Sequence, residues 1–318
     1  MRYTGLALAL LSSWCFAFSG PMAKYLNAAG LVPLQSVWVR MAGAGLLMAA
    51  VLALLKPRAL RVPRGKLGFF AAYALVAVAG VQSLYFVAIT RLPVGVALLL
   101  EFTAPVMVVL WVRFVRRVRL PRSAFVGAVV AFAGLAVVVE FWQGMRLDVV
   151  GVLLGLAAGA CCAAYFLLSD SFGEDVDPLG LVTWGMLGAA VLLLPVSQPW
   201  TIPWQAFAAS PTIGGNTLPA LGAYLWLIVV ATATAYVLGV NAVRRLSAAV
   251  GATVATLEVI GGAVVAWALL GEGLGVFQIV GGLLVLCGAV LAQLAAARPV
   301  ARQDAEGARG RSLATVAS

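Results

Sequence analysis

Two carboxylates lie where their neighbours predict hydrocarbon. Glu101 falls in Arg91–Val106, RLPVGVALLLEFTAPV, and Glu258 in the fainter counterpart Arg245–Ile260, RLSAAVGATVATLEVI. An acid at the centre of a membrane span costs about 2.5–3.5 kcal/mol on insertion scales, so such a residue is a functional candidate by default. Arg40 lies well inside another apolar run and needs a partner there. It can form a structural ion pair with Glu101 or Glu258, or receive a solute carboxylate in its planar fork. Gln82, Tyr85, Tyr165, Tyr236 and Asn241 can donate hydrogen bonds to a polar solute or bridge helices. Trp184, with Trp38, suits packing or interfacial anchoring as readily as a cavity wall.

The chemistry open to this set is binding more than bond making. There is no histidine, which removes the commonest general base and the usual haem ligand. Cys15, Cys161, Cys162 and Cys287 all fall in apolar runs without metal-ligand spacing and read as small packing residues. No phosphate-cradling G-x-x-x-x-G-K-[ST] loop is present, so a driving force would come from an ion gradient or solute exchange. No cofactor and no metal are expected.

The elements that must position these residues are membrane spans. Of the 318 residues 64% are hydrophobic and 10% charged, against about 25% charged in soluble domains. The fold expected is an all-α polytopic membrane protein with ten spans: Thr4–Ala23, Leu31–Leu55, Leu67–Thr90, Val94–Val112, Ser123–Phe141, Val149–Leu168, Leu179–Val196, Leu218–Val240, Leu246–Leu270 and Leu274–Ala297. The formal charge of +10 does not point to nucleic acid, because the basic residues sit in short loops without stacking aromatics. They sort by side. Arg2, Lys56–Lys66, Arg113–Arg122, Arg244, Arg245 and the tail fall on one side, whereas Lys24, Arg91 and Arg146 fall on the other. Both termini are therefore expected in the cytoplasm, together with the acidic loop Ser169–Pro178. Glu272 is expected at the outer surface.

The second half repeats the first. Gly5 pairs with Gly151, Cys15 with Cys161 and Trp38 with Trp184, an offset of 146. After a longer connection the offset becomes 154, pairing Ala88 with Ala242, Gly127 with Gly281 and Gly134 with Gly288. The repeats are expected over residues 4–141 and 149–297, followed by a disordered cytoplasmic tail over 298–318. Five spans per half would invert the second copy in the membrane, an architecture common in transporters with a site near the midplane. Pro105 frees the Glu101 carbonyl from its helical partner. On the other span Gly251, Ala255, Glu258 and Gly262 form a small-residue stripe that fits close helix contact or a cavity wall.

The order of spans, RLPVGVALLLEFTAP and LEVIGGAVVAWALLGE (Leu257 to Glu272) resemble the drug/metabolite transporter superfamily, in its EamA-type members. PVGVALLLEFTAPV and DVVGVLLGLAAGACCAAYFLLS (Asp148 to Ser169) resemble the bacterial inner-membrane threonine and homoserine exporters in particular. The chain departs from the pattern at Val259 and Ile260, where such transporters often carry a proline. The resemblance implies export of a small metabolite, most readily an amino acid, with protons as candidate co-substrates and membrane lipids as surroundings. A lipid or lipid-linked sugar flippase and an intramembrane lipid-modifying enzyme are the alternatives that also use buried acids.

Overall fold

The computed structural model describes residues 2–62, 65–117, 121–138, 147–169, 176–243, 256–292 and 294. Seven of its helices are long and apolar enough to cross a membrane, and three further apolar helices, Arg122–Val138, Leu257–Leu270 and Val276–Ala292, are shorter.

Several spans are interrupted, each for a local reason. The first comprises α1 (Arg2–Ala17) and α2 (Ser19–Ala28), which meet at Phe18. Pro21 has no N–H to return to Ala17, so the ladder loosens there. α3 (Pro33–Leu55) starts on a proline, suited to the first helical position, and Gln35 Oε1 accepts the Val32 N–H at 3.1 Å. The third span runs as α4 (Leu67–Ala72), a π-helical stretch Tyr73–Gly80, and α5 (Val81–Ala88). The span expected over Val94–Val112 breaks where Pro105 frees the Glu101 carbonyl: α6 (Val94–Glu101) ends, Phe102 and Thr103 turn, and α7 (Ala104–Phe114) restarts with Pro105 in its first turn. α8 is Arg122–Val138, α9 Val149–Ser169 and α10 Pro178–Ser197. A hairpin, β1 (Thr212–Ile213) and β2 (Asn216–Thr217), turns through Gly214 and Gly215, whose φ of 57° and 82° suit the tight turn. It leads to α11 (Ala220–Ile228), a second π-helical stretch Val229–Thr234, and α12 (Ala235–Val243). α13 (Leu257–Leu270) stops at Gly271, φ 69°, and α14 is Val276–Ala292. The expected start of the ninth span, the acidic stretch 170–175 and the tail 298–318 lie outside the described residues.

The helices pack so that contacts pass from one half of the chain to the other. α3 lies along α10, α1 packs on α12 and α13, α9 packs on α5, α6 and α7, and α6 meets α13. α8 and α14 touch through glycines that bring backbone against backbone. A Cβ on Gly134 would stand 2.7 Å from the Gly281 carbonyl oxygen, and one on Gly281 would stand 2.6 Å from that of Gly134. The largest buried cluster draws on α2, α3, the Tyr73–Gly80 stretch, α5, α6 and α10. Leu46, Val129, Val191 and Leu283 point outward, as helices facing lipid require.

Candidate substrate-binding site

Arg40, 2% exposed on α3, is the largest of the fully buried side chains among the described residues. Its Nε donates to Thr232 Oγ1 at 2.9 Å, Nη1 donates to Ser19 Oγ at 2.7 Å and to Gln82 Oε1, and Nη2 reaches the Ala231 carbonyl at 3.4 Å. The guanidinium also lies 5.5 Å from the centroid of Phe86. The π-helical stretch explains two of these partners. Its wide turn lets Thr232 Oγ1 donate back to Leu227 O at 2.7 Å while offering a lone pair to Arg40. Ser19 comes from the restart after Phe18, and Gln82 from α5. Of the two alternatives for Arg40, the contact ion pair is absent among the described residues, and a cage of neutral groups from three other segments holds the guanidinium. Glu258 and Glu101 act on Arg40 through space, with no ion pair to it among the described residues.

The two acids occupy opposite ends of their helices. Glu101 closes α6 at the break, and Glu258 sits in the first turn of α13. Both are half-buried, and neither carboxylate hydrogen-bonds a described residue. Gly159 of α9 closes on the break, where a Cβ would lie 2.9 Å from Leu100 O and 3.2 Å from Glu101 O. Gly262 is used in packing, directly over the Leu98 side chain, while Gly251 and Ala255 lie outside the described residues.

Tyr85, Tyr236 and Cys162 are each within electrostatic reach of both acids. Tyr85, 3% exposed, packs against Gly20, and its Oη has no hydrogen-bond partner among the described residues. Tyr236 meets Phe16 edge-on at 4.9 Å, and Tyr165 stands 5.9 Å from Tyr73. Arg40, Gln82, Tyr85, Glu101, Tyr165, Tyr236 and Glu258 thus share one interior neighbourhood.

Trp184 does not join it. Its ring is 39% exposed and its indole N–H donates to Leu60 O at 2.9 Å; Trp38 likewise donates to Ala190 O at 3.0 Å. Both indoles fasten one half of the chain to the other. Asn241 is satisfied within its own helix, donating to Val237 O at 2.8 Å.

Composition gave no warning of the cage partners Ser19, Thr232 and Phe86: Ser19 and Thr232 are ordinary residues made useful by helix interruptions, and Phe86 is an ordinary core aromatic of α5. Glu272, expected at the outer surface, lies at the end that holds Lys24 and Arg91; its side chain there is 20% exposed, pairs with Lys24, and accepts the Val94 N–H at 2.8 Å, capping α6. Lys24 also donates to Leu92 O at 3.2 Å. Arg91 pairs with Asp148 at 3.3 Å near the same end. At the opposite end Lys56 pairs with Asp177, which caps α10. Burial pushes the Asp177 carboxyl up, but the bonds from Lys56, Gly180 and Leu179 outweigh it and hold the group below the ordinary carboxylate range.

The EamA-like transporter family model matches residues 3–140 and again 149–294, with the junction between the copies falling after α8. The chain belongs to the EamA-like transporter family. It is a multi-pass membrane transporter and not an enzyme. Among its EamA relatives, the threonine/homoserine exporter RhtA of Salmonella typhimurium strain LT2 is 31% identical over 225 residues, covering 70% of this chain and 69% of that protein. The Escherichia coli K12 protein of the same name is 31% identical over 218 residues, 68% of this chain and 66% of its own. The transporter YwfM of Bacillus subtilis strain 168 is 27% identical over 188 residues, 58% of this chain and 60% of its own. A solved crystal structure at 18% identity superposes over 94% of this EamA chain and 99% of its own, with a TM-score of 0.61, a likeness of fold.

Proposed function

We propose that the protein exports a small zwitterionic metabolite, a threonine- or homoserine-like amino acid, across the cytoplasmic membrane by alternating access. The observation that carries this reading is the convergence of Glu101, Glu258 and the unpartnered Tyr85 hydroxyl around a caged Arg40, drawn from both halves of the chain. A solute ammonium finds carboxylates that no described residue engages, and a solute carboxylate meets the remaining Arg40 donor capacity and Tyr85 Oη. Identity to the exporters and the two family copies support the same substrate class. Trp184 has no part in the site.

In this reading ten spans form two inverted repeats, residues 4–141 and 149–297, with both termini and the tail in the cytoplasm. Three features support the inversion. Shifted back by the 154-residue offset, the π-helical stretch Val229–Thr234 falls on residues 75–80, inside the π-helical stretch Tyr73–Gly80. The contacts of α1 with α12 and α13 are echoed by those of α9 with α5 and α7. The ion pairs sort by end, with Lys24, Arg91, Asp148 and Glu272 together and Lys56 with Asp177 apart from them. The lipid bilayer is the expected environment, and protons are candidate co-substrates because the site holds two acids against one fixed cation.

Counterflow of labelled threonine and homoserine in proteoliposomes tests the assignment. Wild-type protein is expected to accumulate label, and Glu101→Gln or Glu258→Gln to reduce it at least about tenfold, the loss of one charge-assisted contact. Unchanged flux in both variants would remove the site, and scrambling of labelled lipid without amino-acid flux would favour a flippase.

A further inference from the structure

A pocket of about 430 Å³ lies apart from the acids, between α2, α11 and the end of α13 and beneath the β1–β2 hairpin. Its walls are Phe18, Met22, Tyr25, Leu218, Trp226 and Leu269, with Asn216 and Thr217 at the hairpin end. The size falls within the range of about 300–1,000 Å³ usual for ligand sites. The polar groups at the hairpin end are committed to the fold: Asn216 Nδ2 donates to Ala268 O and Leu269 O, and Tyr25 Oη donates to Leu269 O at 2.9 Å. What remains for an occupant is an apolar wall.

The surrounding surface identifies that occupant. Phe18, Met22 and Tyr25 lie at helical spacing beyond Trp14, which is 51% exposed; Phe18 is half-buried and Met22 and Tyr25 are buried, so these three form the floor of the recess. On the opposite wall Trp226 is 43% exposed beside Phe18, their rings 5.4 Å apart, and next to it on α11, outside the pocket, Leu221 and Leu225 are 50% and 48% exposed. In a multi-pass membrane protein the exposed rim, Trp14 on one side and Leu221, Leu225 and Trp226 on the other, meets hydrocarbon, so the pocket is a recess that opens onto the lipid-facing surface. It is roofed by a hairpin whose Asn216 and Thr217 are exposed and lie just outside the apolar span Ala220–Ala242. We propose that the pocket takes one acyl chain of a membrane lipid from the leaflet on the hairpin side.

The recess ends at Phe18, the residue before Ser19, which holds Arg40 Nη1. A chain seated there would brace the α1–α2 junction. The proposal does not depend on what the protein transports.

Gly222 provides the test. A Cβ at this lining residue meets only Pro219 Cβ, at 4.0 Å, so a larger side chain enters the pocket without striking backbone. Full-length protein in detergent is stripped of loosely held lipid, and lipids retained per chain are counted by native mass spectrometry. Melting temperature is then measured with and without added palmitoyl-oleoyl phosphatidylethanolamine. Wild-type protein is expected to retain one lipid and gain several degrees, because a ligand of the folded state raises its stability. Gly222→Phe is expected to lose both, and Gly68→Phe, on α4 with nothing within 4 Å, to keep both. If Gly222→Phe melts far below wild type without lipid, Gly222→Leu replaces it. Equal retention and equal gain in wild type and the filled variant would overturn the proposal. So would a dihexanoyl analogue that matches the long-chain lipid, since chain burial would then not be the basis.

Discussion

Gly127 of α8 and Gly288 of α14 face each other so closely that a Cβ on Gly127 would stand 2.7 Å from Gly288 O, and one on Gly288 would stand 2.5 Å from Gly127 O. Gly134 and Gly281 repeat the exchange one heptad away, and the order of the pairs makes the two helices antiparallel. Because the 154-residue register pairs Gly127 with Gly281 and Gly134 with Gly288, each contact maps onto the other when the halves are swapped. A self-complementary contact of this kind is what a two-fold relation between repeats produces.

Gly288→Val should therefore destabilise the protein by at least the 1–3 kcal/mol typical of overpacking, since the obstruction is backbone that no rotamer change relieves. Gly275→Ala, at a site with nothing within 4 Å, should leave stability unchanged. Thermal unfolding in detergent compares them, and equal melting of Gly288→Val and wild type would refute the close contact.

The span order and the interior acids were legible because a membrane punishes polarity over about 20 residues at a time, a signal that composition carries directly. Pro105 marked the break after Glu101 because a missing N–H is a local fact. The π-helical stretches were not legible: VVATAT and YALVAVAG read as ordinary apolar helix, with no proline inside them to mark a wider turn. Trp184 misled because an indole suits an interface and a cavity equally until its donor finds Leu60 O. The two partners of Glu272, Lys24 and the Val94 amide, were not legible because they are far away in sequence.

That pairing separates two substitutions. Glu272→Gln keeps an oxygen for the Val94 N–H and loses only the ion pair with Lys24, whereas Glu272→Ala leaves the amide at the start of α6 without its acceptor. Partly exposed ion pairs contribute up to about 1 kcal/mol, and an orphaned buried donor costs about 1–3 kcal/mol. Chemical or thermal unfolding should rank wild type above Glu272→Gln and Glu272→Gln above Glu272→Ala. Added salt should narrow only the first gap.

Asp177 supplies a pH dependence. Its folded carboxyl lies below the ordinary value of about 3.9, so its contribution is fully present above that value and fades as pH falls through the lowered one. Asp177→Asn still caps α10 but has no proton to exchange. The stability difference between wild type and Asp177→Asn should thus be constant near neutrality and shrink below about pH 4. Melting temperatures from neutral pH into the acid range measure it, and a difference that grows as pH falls would contradict the assignment.

Arg40 tests whether its cage recognises a charge or a shape. Lysine keeps the positive charge but offers a single nitrogen, which cannot donate along the fork to Thr232 Oγ1, Ser19 Oγ, Gln82 Oε1 and Ala231 O together. It also loses the planar face presented to Phe86. With the residue 2% exposed, no solvent replaces the missing donors, so each acceptor left alone carries its full desolvation penalty. Arg40→Lys should be about 2–4 kcal/mol less stable than wild type, the loss of one or two charge-assisted bonds. Thermal unfolding at neutral pH reads this directly. Equal stability would mean that only charge is required at residue 40, leaving the guanidinium free to serve a solute and the neutral cage incidental.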